Sequence, residues 1–386
     1  MIQLCNIKEC TGCGACFNIC PKNAIKMEED IEGFLFPKIN SKVCIECHLC
    51  EKVCPEINPV NKFNRVDKPI ALIHKDNYIL KESTSGGMFS LISNWILDNN
   101  GIIYGVILDD NFNVYHTSAE NLSELSKMRG SKYVQSNTLY TFKKVKQDLK
   151  NDRLVLYSGT PCQIAGLKNY LKNVDTDKLY TIDLVCHGTP SNKMFKSYIG
   201  KLAKEKGINV NNIKDFRFRE LEKWGYTPSF IYDSRRELIE NNYNIYMKLF
   251  LSSRLCRKCC YSCKYTTQER IADFTLADFW DVGKKTSFDY DTKSGCSLVL
   301  LNTDKAKLLF NNVSNNAYYE YRSWEEALTT NHQLYRPSIL PKDRDIAISY
   351  LLKYSLRKTN NTFFNTPYIR FRRYIGKILR ALKLRK

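Results

Sequence analysis

The spacing of hydrophobic positions changes several times along the chain, and each change predicts an element. Residues 86–98 place apolar side chains at Met88, Leu91, Ile92, Trp95 and Ile96, one stripe of a helix. Residues 102–108 form a continuous apolar run of strand length, and 113–118 read as its hairpin partner. The alternation then continues with a helix over 139–149, a short strand over 154–157, a helix over 164–171, a strand over 179–185 and a helix over 193–206. Further strands are predicted at 213–219, 226–232 and 297–302. The sum is an α/β or α+β core with a mostly β insertion. Beyond Pro367 the pattern turns helical again, with Phe371, Tyr374, Ile375, Ile378, Leu379 and Leu382 interleaved by basic residues.

Composition narrows this picture. A hydrophobic content of 43% over 386 residues supports buried cores and excludes a disordered polyelectrolyte, despite a formal charge of +19. No apolar run reaches the ~18–20 residues of a membrane span, and the first ten residues lack a basic and apolar leader pattern. A cytoplasmic protein is expected. The charge is uneven: residues 350–386 hold eleven Lys and Arg and no acidic residue. That basic amphipathic tail suits an anionic membrane surface, so peripheral contact with the inner face of the membrane is an expectation. The alternative is a helix docked on its own domain. No nucleic-acid motif accompanies the basicity, so no nucleic-acid partner is expected.

The sixteen cysteines carry the chemistry, because thiols in a chain without an export signal point to metal or redox work. Nine fall within residues 1–54. Cys10-x2-Cys13-x2-Cys16-x3-Cys20-Pro21 recurs 34 residues later as Cys44-x2-Cys47-x2-Cys50-x3-Cys54-Pro55. This is the ligand run of two-cluster bacterial ferredoxins, in which the fourth cysteine of each run serves the other cluster. Cys10, Cys13, Cys16 and Cys54 are therefore assigned to one 4Fe-4S cluster, and Cys44, Cys47, Cys50 and Cys20 to the other. Gly12 and Gly14 are read as relieving crowding near the cluster sulfurs. A pair of zinc sites is the alternative, and the repeated spacing with its prolines argues against it.

Three loops precede helices and could hold a cofactor. Residues 81–87, KESTSGG, suit a phosphate at a helix terminus, or simply an N-cap. The second, Ser158-Gly-Thr-Pro-Cys-Gln163, and the third, Cys186-His-Gly-Thr-Pro190, both follow strands, which suggests that Cys162 and Cys186 reach one site at the carboxyl edge of a sheet. His187 is the candidate acid–base group, with a structural histidine as the alternative. Cys256-Arg-Lys-Cys259-Cys260-Tyr-Ser-Cys263 could form a zinc knuckle or hold a third cluster. Adjacent thiols at 259 and 260 do not both suit one ion, so a further ligand is expected from elsewhere, with Cys162 and Cys186 as candidates.

Several ordered motifs now resemble one family. Ser85-Gly-Gly-Met-Phe-Ser, Arg129-Gly-Ser-Lys-Tyr-Val-Gln-Ser136, Ser158-Gly-Thr-Pro-Cys-Gln-Ile-Ala-Gly-Leu167, Asp183-Leu-Val-Cys-His-Gly-Thr-Pro-Ser191, Cys260-Tyr-Ser-Cys-Lys-Tyr265 and Ala272-Asp-Phe-Thr-Leu-Ala-Asp-Phe-Trp280 are similar to the coenzyme F-420 hydrogenase/dehydrogenase beta-subunit family. The resemblance covers roughly residues 1–300 and implies an FAD site with a cubane cluster beside it. It implies Cys162, Cys186, Cys260 and Cys263 as ligands of that cluster, while Cys256 and Cys259 depart from the family pattern. For FAD it implies Ser85, Gly86, Gly87, Arg129, Ser131, Lys132, Tyr133, Thr160 and Gln163, with Arg129 and Lys132 as pyrophosphate partners. Asp273 and Asp278 are read as anchors of the local fold.

The expected fold is a multidomain α+β or α/β chain: a two-cluster 4Fe-4S ferredoxin-like domain (1–62), a flavin-binding beta-subunit domain (69–175), a second beta-subunit domain with an Fe-S site (176–345) and a basic helical tail (346–386). The expected function is an oxidoreductase passing single electrons between clusters and an FAD that exchanges hydride with a deazaflavin-like or polysaccharide-biosynthesis sugar substrate. Its expected partner is a ferredoxin or another oxidoreductase subunit. The alternative is an electron-transfer module without its own substrate.

Overall fold

A computed structural model describes residues 2–63, 65–220, 225–366 and 375, and every count refers to these. The N-terminal cysteine runs lie on loops around a hairpin of β1 (Ile25–Glu29) and β2 (Leu35–Ile39), each run entering a short helix, α1 (Ala15–Ile19) or α2 (Leu49–Lys52). The body is built on a large sheet of β3 (Ile70–His74), β4 (Ile102–Leu108), β5 (Val114–Ala119), β6 (Val155–Ser158), β7 (Leu179–Leu184), β11 (Phe274–Asp278), β12 (Ser297–Leu301) and β13 (Ala317–Tyr321). These eight strands lie in the order β13-β3-β12-β11-β7-β6-β4-β5. A smaller antiparallel sheet holds β8 (Lys214–Arg217), β9 (Ser229–Tyr232) and β10 (Arg235–Leu238), which is the expected β insertion.

Residues 69–175 and 176–345, expected as two domains, share the large sheet. β6 pairs in parallel with β7 across the 175/176 boundary, and β3 lies between β12 and β13, far along the chain. The four central strands β11, β7, β6 and β4 run parallel, so their carboxyl ends open on one edge. Loops after such parallel strands are where an open α/β sheet builds its sites.

The helices α3 (Asn77–Lys81), α4 (Met88–Asp98), α5 (Leu122–Met128), α6 (Thr141–Lys150), α7 (Pro161–Tyr170), α8 (Asn192–Lys206), α9 (Ile245–Leu251) and α10 (Asp304–Val313) pack around the sheet. Pro161 opens α7, and Gln163 Oε1 accepts from the Thr160 backbone N–H at 3.0 Å, a sharp helix start directly after β6. After the short α11 (Trp324–Leu328) come α12 (Arg344–Lys353) and α13 (Leu356–Phe363). These begin the stretch expected as a free tail, yet Ala347, Ile348, Leu351 and Leu356 are buried in the cluster formed with α8. Their apolar side chains hold this part on the body. Apart from Ile375, the basic residues from 367 onward, with the amphipathic helix expected there, lie outside the described residues. No described helix is long and apolar enough to cross a membrane.

A buried polar network fixes the site edge of the sheet. Asp183 on β7 pairs with Arg270 at 3.1 Å, both almost fully buried, and Thr275 donates to the same carboxylate. Arg270 also donates to the carbonyls of Tyr265 and Leu184, tying the loop after Cys263 to the end of β7. Asp273 accepts from the Thr181 backbone and hydroxyl and from Thr303, which gives it the anchoring role expected of it. Removing one partner of a buried ion pair strands the other charge. Arg270→Met is therefore expected to cost about 3–5 kcal/mol in urea unfolding. The Asp183→Asn/Arg270→Met double variant should recover part of that loss, and additive losses would show that the two side chains are not coupled.

Candidate metal centres and cofactor cavity

Three groups of cysteines come together, each from separate segments. The first gathers Cys10, Cys13, Cys16 and Cys54 around one small gap that Cys5 also lines. The second gathers Cys44, Cys47 and Cys50 with Cys20 around another, walled by Ile2, Ile25, Ile39 and Leu49. In each case the fourth cysteine comes from the opposite run. Among the described residues no three Cys, His, Asp or Glu side chains close on a point small enough for a single metal ion. The sulfurs stand around gaps with apolar walls, an arrangement that suits a cluster carrying its own sulfides.

The two runs share a backbone but not a setting. Gly12 and Gly14 adopt φ of 67° and 81°, and their counterparts Glu46 and His48 adopt 51° and 56°. The loop therefore needs left-handed residues, but glycine only where the body closes in. A Cβ on Gly14 would lie 2.2 Å from Thr138 Oγ1, and one on Gly12 would lie 2.9 Å from Arg257 Nη1. The expected reason for these glycines was crowding against cluster sulfurs; the structure adds contact with Thr138 and Arg257 of the body. The second run has Cys47, Glu46 and His48 exposed.

The third group lies at the carboxyl edge of the sheet. Cys162 sits in the first turn of α7 after β6, Cys186 follows β7, and residues 256–263 bring four more cysteines over them. Gly188 adopts φ of 119°, and a Cβ there would meet Cys256 Sγ at 2.6 Å and Cys260 Cβ at 3.3 Å, so the two loops are in contact. Burial pushes the Cys162 thiol well above its usual range, with Cys186, Cys263 and Cys260 adding to the effect. Burial likewise carries Cys186 up to about 12 and Cys263 up to about 11, each raised further by Cys260. Cys260 goes the other way, to about 7, because Cys259 donates a hydrogen bond to its sulfur. Buried thiols that oppose one another's ionisation are deprotonated most readily by a bound cationic centre.

The first and third groups are neighbours. A Cβ on Gly166, one turn along α7 from Cys162, would lie 2.9 Å from Cys13 Sγ and 3.4 Å from the Ala15 Cβ. Tyr265 is buried between them, its hydroxyl raised first by burial and then by Cys162, Glu56 and Cys13.

A separate cavity of about 650 Å³, within the range of cofactor sites, opens beside the carboxyl end of β4. Ile107, Phe112, Phe216 and Phe218 give it apolar walls, and Thr84, Arg129, Ser131, Lys214, Arg217 and Arg219 supply polar ones. Thr84 and Ser131 hydroxyls lie 3.0 Å apart and join the two loops. Arg219 is buried, pairs with Asp278 at 2.7 Å and stacks over Tyr226 and Trp280. Glu82, Asp109, Asp110 and Asp215 line it too, Asp110 pairing with Lys214 and both Glu82 and Asp215 with Arg217. An apolar face beside mixed charged groups suits a planar ring bearing polar substituents.

Residues 152–327 match the family described as the C terminus of the coenzyme F420 hydrogenase/dehydrogenase beta subunit, and residues 9–57 match the 4Fe-4S dicluster domain. Over residues 152–327 the chain thus resembles the coenzyme F420 hydrogenase/dehydrogenase beta subunit, and its N-terminal segment resembles a 4Fe-4S dicluster domain. It is similar to the F subunit of the F420H2 dehydrogenase of Methanosarcina mazei, 27% identical over 233 residues that cover 56% of this chain and 64% of the relative. It is also similar to the coenzyme F420-dependent sulfite reductase of Methanocaldococcus jannaschii, 24% identical over 41% of this chain and 24% of that protein. The chain thus spans less than two-thirds of either relative. Among solved structures, a chain of the F420-reducing NiFe hydrogenase complex from Methanosarcina barkeri is 15% identical, with a TM-score of 0.45 over 79% of this chain and 92% of that one.

The residues expected to bind FAD fall in three places. Arg129, Ser131 and Lys132 line the large cavity. The Lys132 ammonium, however, donates to the carbonyls of Lys127, Met128 and Arg129, so it caps α5. Tyr133 is buried behind the cavity against Phe218 and Phe250. Ser85, Gly86 and Gly87 press on β3: Ser85 donates to the Cys296 carbonyl, and a Cβ on Gly86 would lie 1.9 Å from the Leu72 carbonyl oxygen. Thr160 and Gln163 belong to the third cysteine group, with Thr160 Oγ1 3.2 Å from Cys162 Sγ and Gln163 donating to Ser136. His187, expected as an acid–base group, does not line the cavity. Its Nε2 lies 3.1 Å from both the Phe250 carbonyl and Ser253 Oγ, and its Nδ1 is 3.2 Å from Gln333 Nε2. Burial holds its pKa down, and its contacts are those of a loop anchor. The sequence reading missed Cys5, Thr84, Gly166, Arg219 and Arg257; the adjoining S-T-S and G-S-K motifs could have pointed to Thr84.

Gly166→Leu drives a side chain into the Cys13 loop. It is expected to release the N-terminal domain from the body, read as tryptic cleavage at Lys62, Arg65 or Lys68 under conditions that leave the wild-type chain whole. An equally resistant variant would mean that α7 has room to spare.

Proposed function

We propose that this chain is an iron–sulfur flavoprotein oxidoreductase, passing single electrons through three 4Fe-4S clusters to an FAD that exchanges hydride with an organic substrate. The reading is carried by one observation: three groups of cysteines come together, and packed aromatic rings lead from the third toward a cofactor-sized cavity. His187, beside Cys186, meets Phe250 at 5.1 Å between centroids; Phe250 meets Tyr133 at 4.9 Å; and Tyr133 meets Phe218, on the cavity wall, at 5.8 Å. His187 acts here by fixing the Cys186 loop.

On this reading Cys10, Cys13, Cys16 and Cys54 hold one cluster, Cys20, Cys44, Cys47 and Cys50 a second, and Cys162, Cys186, Cys260 and Cys263 a third. Cys256 lies close enough to Cys186 and Cys260 to raise its own thiol, so it is the alternative ligand of the third. A bound flavin supplies the exchange between hydride and single electrons. Thr84, Arg129, Ser131 and Arg219 are its proposed polar contacts, and the arginines offset the charge of the diphosphate. The chemistry belongs to the cytoplasm, where thiols stay reduced, with a ferredoxin or a second oxidoreductase subunit as electron partner.

A deazaflavin is the favoured hydride partner, since the curated relatives are named for coenzyme F420. A sugar intermediate is supported by a different observation. A second cleft of about 310 Å³, lined by Asn113, Gln135, Asn137, Ser191 and Asn192, shares Tyr115 with the cofactor cavity. Glu29 lines it too, and Lys196 donates to Asn113 Oδ1, and this number of amides and hydroxyls suits a polyhydroxyl ligand.

Anaerobic reconstitution of the full chain is expected to give about twelve irons, four per cluster, and one FAD that reduced deazaflavin reduces. Twelve irons without flavin would favour a relay that hands electrons to another enzyme. A zinc-containing, iron-free chain would overturn both. Cys20→Ala is expected to remove about four irons and the cluster signal of the Cys44, Cys47 and Cys50 group, leaving that of its own run. Loss of the Cys10 group instead would reverse the crossed assignment.

A further inference from the structure

Arg257 is a buried cation at the junction of two sulfur groups, and every nitrogen-bound partner it has is neutral. Its side chain is 2% exposed. Nε donates to the Cys10 carbonyl at 2.7 Å, Nη1 to Gln135 Oε1 at 3.1 Å and Nη2 to the Leu35 carbonyl at 3.0 Å. The guanidinium lies 4.0 Å from the centroid of Phe36 and 5.4 Å from that of Phe34. Among the described residues no carboxylate forms an ion pair with it.

Holding a guanidinium away from water without an anion is costly, so its counter-charge has to come from a group within reach. The groups within reach are thiols. Arg257 follows Cys256 in the chain, its carbonyl accepts from the Cys260 N–H at 2.9 Å and its Nε holds the Cys10 carbonyl, so it stands between the two sulfur groups. A second buried arginine nearby provides the contrast. Arg344 also joins the body to the N-terminal domain, donating to the Cys256 carbonyl at 3.0 Å, yet its charge is met by Glu32 at 2.7 Å and Asp345 at 2.7 Å.

We infer that Arg257 is an electrostatic positioning residue shared by two clusters, the one held by Cys10, Cys13, Cys16 and Cys54 and the one in the body. It raises the reduction potential of both relative to that of the Cys44 group, and so favours passage of the electron from the outer cluster inward. The inference rests on the proposed reading that both sulfur groups hold clusters. The physical reason is direct. A cluster gains one negative charge on reduction, and a nearby unscreened cation stabilises that state; net charge and hydrogen bonding around the sulfurs set such potentials. Gly12 is part of the device, because a Cβ there would occupy the place of Nη1.

The test is an EPR-monitored redox titration of the full reconstituted chain as wild type, Arg257→Gln, Arg257→Lys and Arg344→Gln, with iron measured on each. Arg257→Gln is expected to make two of the three cluster potentials more negative, each by at least a tenfold change in the reduction equilibrium, about 59 mV for one electron. The third potential, that of the Cys44 group, should not move. Arg257→Lys should restore most of the shift, and Arg344→Gln should produce little of it. Unchanged potentials in Arg257→Gln at full iron content would overturn the inference. So would an equal shift in Arg344→Gln, which would assign the effect to a loosened domain contact, or a failure of lysine to restore it. A wild-type chain with only about eight irons would instead overturn the body cluster, and the shared role with it.

Discussion

Everything in this molecule hangs on how closely the first cysteine loop lies against the body. Gly166 lets α7 touch Cys13, and Thr138, Asn18, Gln135 and Arg257 lock the loop from the other sides through backbone carbonyls. The consequence is functional as much as structural. Tunnelling between buried redox centres falls off steeply with separation, so a domain loosely tethered at residues 58–68 would serve poorly. Here the tether is itself held, with Lys62 donating to the Lys264 carbonyl and Phe63 to that of Arg270, beside the loop that carries Cys260 and Cys263. The Asp183–Arg270 pair then fixes that loop to β7, so one polar network reaches from the linker to the sheet.

Much of this was legible in the sequence, and what was not has a common cause. The repeated cysteine spacing pointed to the crossed grouping because ligand geometry is local to each run. The strands at 102–108 and 179–184 and the helices between them follow from local periodicity. β3, β11 and β13 were not foreseen: β3 finds its partners β12 and β13 more than two hundred residues away, and nothing local marks such a pairing. The same nonlocality hid the single sheet behind an apparent division at residue 175. Gly12 and Gly14 were noticed for their place beside the cluster, while only the packed domain shows that Thr138 and Arg257 take the space their side chains would need.

The residues expected around FAD teach a related lesson. A sequence motif records every constraint on a loop at once, and binding is only one of them. Gly86 is glycine because β3 passes against it, Lys132 is basic because α5 ends beneath it, and Thr160 with Gln163 starts the helix that presents Cys162. What is left facing the cavity is a smaller set, Arg129, Ser131 and Lys132, joined by Thr84 and by Arg219 from a different part of the chain. Arg219 pairs with Asp278 at the end of β11, which ties the cavity wall to the sheet edge.

The three sulfur groups differ in setting. Cys47 is exposed and Cys20 and Cys44 are partly so, so that group meets solvent. In the first group Cys5 donates hydrogen bonds that draw Cys10 and Cys54 down, while burial holds Cys13 up near 12. In the body Cys162, Cys186 and Cys263 are all raised by burial, and only Cys260 is helped toward the thiolate. In the folded body burial therefore opposes the ionisation of three of these four thiols, and the Cys259 hydrogen bond favours it at the fourth, so on the proposed reading a bound cluster has to offset that penalty there.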